Sequence, residues 1–130
     1  MKSLVVEDEI TSRLILQKFL ANHSEVHVSS NGREGLDAFK AAFDQGSPFD
    51  LVCMDVMMPE MDGPAALVGI RAIEEGNGTG AGSRVKVLMT TGLGETDSAL
   101  DNVRNLYDAI LTKPVRLNAL METLALLGLT

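Results

Sequence analysis

Short apolar runs and longer stretches of helical spacing alternate along this chain from end to end. The runs Ser3–Glu7, Glu25–Ser29, Asp50–Met54, Arg84–Thr90 and Asp108–Thr112 are rich in Val, Leu and Ile and give way to polar residues or glycine, the pattern of strands. Between and after them, the spacing predicts helices over Thr11–Asn22, Arg33–Asp44, Pro64–Glu75, Asp97–Leu106 and Leu117–Leu127. The first helix offers Leu14, Ile15, Leu16, Phe19 and Leu20 as its apolar face, and the second offers Leu36, Ala38, Phe39 and Phe43. The third run is apolar throughout its interior, as a strand covered on both faces must be. Asn31-Gly32 signals a turn, and Pro64 falls in a first helical turn, where a missing N–H costs little. The stretch Gly76-Asn77-Gly78-Thr79-Gly80-Ala81-Gly82-Ser83 reads as a flexible connection. It lacks the trailing Gly-Lys-Ser/Thr of a phosphate-cradling loop and precedes a strand rather than a helix. Gly92 and Gly94 open a further loop.

Strands alternating with helices specify a parallel sheet covered on both faces, here one domain over residues 1–130 with no output domain in this chain. The composition is 45% hydrophobic and only 4% aromatic, so the core must be built from aliphatic residues and Met. A formal net charge of -7 argues against nucleic acid as a partner. The single cysteine, Cys53, lies in an apolar run and permits no disulfide within the chain, as suits a reducing compartment. Acidic residues follow Met1 too soon for a secretory leader, and no apolar run has the length of a membrane span. The expectation is a cytoplasmic protein with no membrane partner.

In a doubly wound sheet, a site forms beyond the C-terminal ends of the strands. Those ends carry Glu7 and Asp8, then Asp55, then Thr91, then Lys113. If the first and third strands are neighbours, three carboxylates converge, and their repulsion calls for a cation. Mg²⁺, a hard ion satisfied by carboxylates, water and phosphate oxygens, suits such a set. Asp55 then becomes a candidate nucleophile toward phosphorus, forming an aspartyl phosphate. Thr91 is placed to hydrogen-bond a phosphoryl oxygen and Lys113 to neutralise another.

Four segments carry a resemblance: Val5-Val6-Glu7-Asp8-Glu9, Met54-Asp55-Val56-Met57-Met58-Pro59-Glu60-Met61-Asp62-Gly63, Leu88-Met89-Thr90-Thr91-Gly92 and Leu111-Thr112-Lys113-Pro114. Together they resemble the receiver domain of bacterial two-component response regulators, of the single-domain, CheY-like chemotaxis-regulator type. The resemblance covers essentially the whole chain, and Asp-x-x-Met-Pro-x-Met-Asp-Gly is its most specific part. It implies a flavodoxin-like α/β fold with a five-stranded parallel sheet in the order 2-1-3-4-5. It implies that Asp55 is the phosphoacceptor, that Asp8 binds Mg²⁺ directly and Glu7 mainly through water, and that the main-chain carbonyl of Met57 is a further ligand. Thr91 is then the switch hydroxyl, Lys113 the phosphate-contacting lysine, and the Lys113–Pro114 peptide is cis. The implied donor is a phosphohistidine on a sensor histidine kinase or phosphotransfer protein. An output face of the fourth helix, fifth strand and fifth helix would meet a downstream protein or a second copy of the chain.

The sequence departs from the family pattern at several places. Ile110 stands where receivers usually carry an aromatic switch residue, and Tyr107 lies three residues earlier. The acid pair is Glu7-Asp8 where many members have two aspartates, and Asn105–Ala109 lacks a common glycine. Met57 and Leu93, at positions that tune dephosphorylation in the family, are both apolar and predict a long-lived phosphoform. The methionines near the site (Met54, Met57, Met58, Met61, Met89) read as packing, and His23 and His27 as surface residues. Three other readings are a haloacid-dehalogenase-type phosphatase, a receiver taken from a hybrid kinase or multidomain regulator, and a degenerate receiver. The first wants an acid where Met57 stands, and the last is opposed by the intact cluster with Thr91 and Lys113.

Overall fold

The structure, a computed structural model, describes residues 1–93 and 97–130. Gly94, expected in the loop after the fourth strand, lies outside the described residues. The strands are β1 (Lys2–Val6), β2 (Glu25–Ser29), β3 (Leu51–Asp55), β4 (Lys86–Thr91) and β5 (Ala109–Thr112). The α-helices are α1 (Ile10–Leu20), α2 (Gly32–Asp44), α3 (Gly63–Gly76) and α4 (Leu117–Leu126), the last being the fifth helix of the sequence reading. All strand pairs are parallel, and the sheet order is β2-β1-β3-β4-β5, as expected.

Two cores flank the sheet, because successive strand residues face opposite ways. Leu4, Val6, Val52, Met54, Val87 and Met89 point toward α2 and α3, where Phe39, Leu67 and Ile70 complete one cluster. Val5, Leu51, Cys53 and Leu88 point the other way, against Leu16 and Leu20 of α1 and Leu120 and Leu124 of α4. β3 is buried along its whole length, the result of lying mid-sheet.

Two expectations are corrected. Leu14 and Ile15 are exposed rather than inward, along with Ile10, so α1 buries only the narrow stripe of Leu16 and Leu20. The fourth predicted α-helix is instead a 3₁₀ helix over Ser98–Val103. Its only buried residues are Leu100 and Val103, a three-residue spacing that a 3₁₀ turn stacks one directly above the other. Ser98, Asp101 and Asn102 are weak α-helix residues, because short polar side chains offer the backbone competing hydrogen bonds. The glycine-rich connection also contains one 3₁₀ turn, Ala81–Ser83.

A polar network that the sequence reading missed ties α3 to the far edge of the sheet. Arg71 Nη1 donates to Glu74 Oε1 at 2.7 Å and to the Val85 carbonyl at 2.8 Å. Its Nη2 donates to Asp108 Oδ2 at 3.1 Å, and its Nε to the Leu106 carbonyl at 2.9 Å. Glu74 Oε2 accepts the Val85 N–H at 2.6 Å, and Asp108 Oδ2 the Val87 N–H at 2.8 Å. Arg71 and Glu74 are both buried, so each charge is matched where water cannot reach it.

Candidate functional site

Parallel strands bring their C-terminal ends to one rim. β1 pairs with β3 so that Val6 lies beside Met54, which sets the following residue, Glu7, next to Asp55. Glu7, Asp8 and Asp55 each offer a carboxylate oxygen, and these lie within 4.8 Å of one another. Glu7 is fully buried, Asp55 nearly so, and Asp8 exposed. Lys113, just past β5, reaches across: its Nζ is 2.8 Å from Glu7 Oε2 and 3.1 Å from Asp55 Oδ2. The Lys113–Pro114 peptide is cis.

The electrostatics follow from this crowding. Burial pushes the Glu7 carboxyl above its ordinary value, the Asp55 charge adds to that, and the Lys113 contact and the Glu9 N–H pull it back only in part. Burial alone would lower Lys113. The close Glu7 carboxylate and the attraction of Asp55 outweigh it and hold the ammonium above its usual range. One ammonium among three carboxylates leaves the pocket net negative. Glu7 Oε2 is buried without a well-formed hydrogen bond, facing Lys113 Nζ, so the most desolvated oxygen of the set still lacks a full complement of partners. Three oxygen donors this close, short of positive charge, fit a hard dication.

The loop after Asp55 is cinched by backbone hydrogen bonds, one within it and one from α2. Gly63 N–H donates to the Val56 carbonyl at 2.9 Å, and Gly32 N–H to that of Met61 at 3.2 Å. Asp62 caps α3 by accepting the Ala65 N–H at 2.9 Å. A Cβ on Gly63 would strike the Asp55 carbonyl oxygen, so only glycine lets the helix start against the end of β3. Glu60 takes a positive φ of 65 to complete the turn. On the opposite side, Glu9 caps α1 by accepting the N–H groups of Thr11 and Ser12, which draw its carboxyl down to about 2.

Thr91 ends β4 at the same rim, but its hydroxyl donates to Asp97 Oδ2 at 2.6 Å and accepts the Leu93 N–H at 3.1 Å. The sequence reading missed Asp97; an acid opening a predicted helix was the available signal, and it pointed only to a cap. Ile110 and Tyr107 are half-buried and pack on the α2–α3 side of the sheet. Met54 and Met89 are core, Met58 and Met61 pack on it, and Met57 is 71% exposed. His23 and His27 are exposed, as expected. A hollow of about 430 Å³ lies at the other end of the strands, lined by Phe39, Phe43, Phe49 and Lys86, and takes no part in this rim.

The response regulator receiver domain model matches residues 3–125. The chain belongs to the receiver domain family. The chemotaxis protein CheY of Listeria monocytogenes is 29% identical over 124 residues, covering 95% of each chain. The receiver domain of the histidine kinase CKI1 from Arabidopsis thaliana, crystallised with Mg²⁺, superposes with a TM-score of 0.80 at 31% identity, over 97% of this chain and 90% of that one. A chain in the co-crystal of the Saccharomyces cerevisiae histidine phosphotransfer protein Ypd1 with the receiver domain of Ssk1 gives 0.75 at 28% identity, over 94% and 84%. This receiver is therefore a CheY-like signalling module of two-component systems. Among its described residues, no helix is long and apolar enough to cross a membrane.

Proposed function

We propose that this receiver accepts a phosphoryl group on Asp55 in a Mg²⁺-dependent reaction and thereby changes the face it shows to a partner. The observation that carries this is the meeting of Glu7, Asp8 and Asp55 within 4.8 Å, with Lys113 against two of them. An Asp55 oxygen attacks the phosphorus of a phosphohistidine; the new O–P bond forms as the P–N bond breaks and its electron pair returns to the imidazole. Lys113 Nζ, already 3.1 Å from Asp55 Oδ2, neutralises charge on the transferring group. The pocket's net negative charge would otherwise oppose an incoming phosphate. Glu7, Asp8, Asp55 and the Met57 carbonyl would hold Mg²⁺, which when bound supplies that neutralisation and aligns the phosphoryl group. Thr91 donates its hydroxyl to a phosphoryl oxygen once the group is in place.

The donor is a sensor histidine kinase or phosphotransfer protein, a reading supported by the likeness to the Ypd1–Ssk1 co-crystal. The responding face comprises Ser98–Val103, β5 and α4, and serves a downstream protein or a weak homodimer. Turnover is confined to the protein's own phosphorylation and dephosphorylation, in the cytoplasm. A single receiver over residues 1–130 matches the near-complete mutual coverage with CheY. The likeness to a histidine kinase's receiver favours, as a second reading, a domain of a larger chain. Intact-mass measurement after acetyl phosphate and Mg²⁺ tests the proposal: the wild type gains one phosphoryl group, while Asp55→Asn and the metal-free protein gain none. An unmodified wild type would overturn it.

A further inference from the structure

The proton of the Thr91 hydroxyl is already committed. It is donated to Asp97 Oδ2 at 2.6 Å, and the oxygen accepts the Leu93 N–H at 3.1 Å. A hydroxyl carries one proton and serves one acceptor at a time. Asp97 is only 5% exposed, so this is a charge-assisted hydrogen bond in a dry setting, among the stronger kinds. The second oxygen, Oδ1, accepts the Ala99 N–H at 3.0 Å and caps the 3₁₀ helix Ser98–Val103. That helix is anchored by Leu100 and Val103 in the core beside α3. One carboxylate therefore joins the end of β4 to the start of the next helical segment.

We propose that Asp97 is a positioning residue for the switch: its carboxylate holds the Thr91 hydroxyl in the resting state, and surrender of that hydroxyl to a phosphoryl group on Asp55 is what passes the signal to Ser98–Val103. The proposal rests on the phosphoacceptor reading of Asp55. A phosphoryl oxygen must win the proton from Asp97, so apparent affinity for the group falls by the fraction of molecules whose hydroxyl is free. When the proton leaves, the buried Asp97 Oδ2 loses the Thr91 donor, its one side-chain partner among the described residues. The carboxylate then moves toward water or another donor, and its grip on Ala99 moves with it. This route needs no aromatic ring at position 110, where the chain has the half-buried Ile110.

The test uses the full chain with Asp97→Asn, which keeps the shape and one oxygen for Ala99, Asp97→Ala, and Thr91→Val, which keeps the shape of the threonine without its proton. Three-bond couplings in the metal-free protein read the Thr91 side-chain rotamer. A single rotamer is expected in the wild type, and averaging in both Asp97 variants. An unchanged single rotamer in the variants overturns the Asp97 assignment. Titration with Mg²⁺ and beryllium trifluoride, a phosphoryl mimic, then reads the coupling. Asp97→Asn binds it roughly 10-fold more tightly than the wild type, as loss of a competing charged hydrogen bond implies, and has no effect in the Thr91→Val background. An equal effect in both backgrounds makes Asp97 merely structural and overturns the proposal. A wild type that binds no beryllium trifluoride, with its rotamers as expected, overturns the phosphoacceptor reading instead, and the signalling role of Asp97 with it.

Discussion

Glu7 is the residue on which the rim's electrostatics turn. A carboxyl whose folded-state value is raised above its ordinary 4.5 favours folding below that value, and the benefit fades as pH rises through the raised one. The metal-free protein therefore loses stability across that window, and Glu7→Gln flattens the loss. Urea midpoints measured across the acid-to-neutral range check both: the variant is expected to be more stable than the wild type at neutral pH without metal, and weaker in Mg²⁺ binding. Met57 and Leu93 stand two residues after Asp55 and Thr91, at 71% and 65% exposure, as apolar surface following the proposed phosphoacceptor and switch hydroxyl. Replacing both with Gln is expected to speed loss of the phosphoryl group severalfold, read by intact mass over time. An unaltered decay would remove the shielding role. The sequence singled out Glu7, Asp8, Asp55, Thr91 and Lys113 because strand ends are visible as places where apolar runs stop. Asp97 was invisible because its meaning depends on a hydroxyl six positions away that only the folded chain presents to it.

At the scale of elements, local pattern and tertiary demand agree for most segments and part company at two. The 3₁₀ helix Ser98–Val103 and the exposed side of α1 both arise because helical spacing marks which residues share a face, without marking whether a partner covers it. Leu14 and Ile15 stay largely exposed, and the segment Ser98–Val103 buries only Leu100 and Val103. α3 is held by more than apolar contact, since Arg71 joins it to the entries of β4 and β5. Arg71→Ala strands Glu74 and Asp108 in or near the core and is expected to cost about 3 kcal/mol, read as a lower urea midpoint with the transition still single. A loss within a few tenths of a kcal/mol would mean that the network is dispensable.

For the whole molecule, the parallel sheet concentrates acid at one end while the chain as a whole carries -7. A divalent cation that binds the folded state alone must raise global stability by mass action. At ten times its dissociation constant, Mg²⁺ is expected to add roughly 1.4 kcal/mol, with EDTA reversing the gain and Asp55→Asn reducing it. Identical unfolding curves with and without Mg²⁺ would contradict the metal site.

The order of strands and helices, and the polar residues that close each strand, were determined by the sequence alone, because periodicity and the loss of apolar character are local properties of a chain. The steric reason for glycine at position 63, where a Cβ would strike the Asp55 carbonyl oxygen, is visible only once the helix start is seen against the end of β3. Folding alone set which groups share a proton or a charge: Lys113 against Glu7, Arg71 between Glu74 and Asp108, and Thr91 on Asp97. Hydrogen bonds reach about 3 Å, and no spacing along the chain states which distant residues will close to that range.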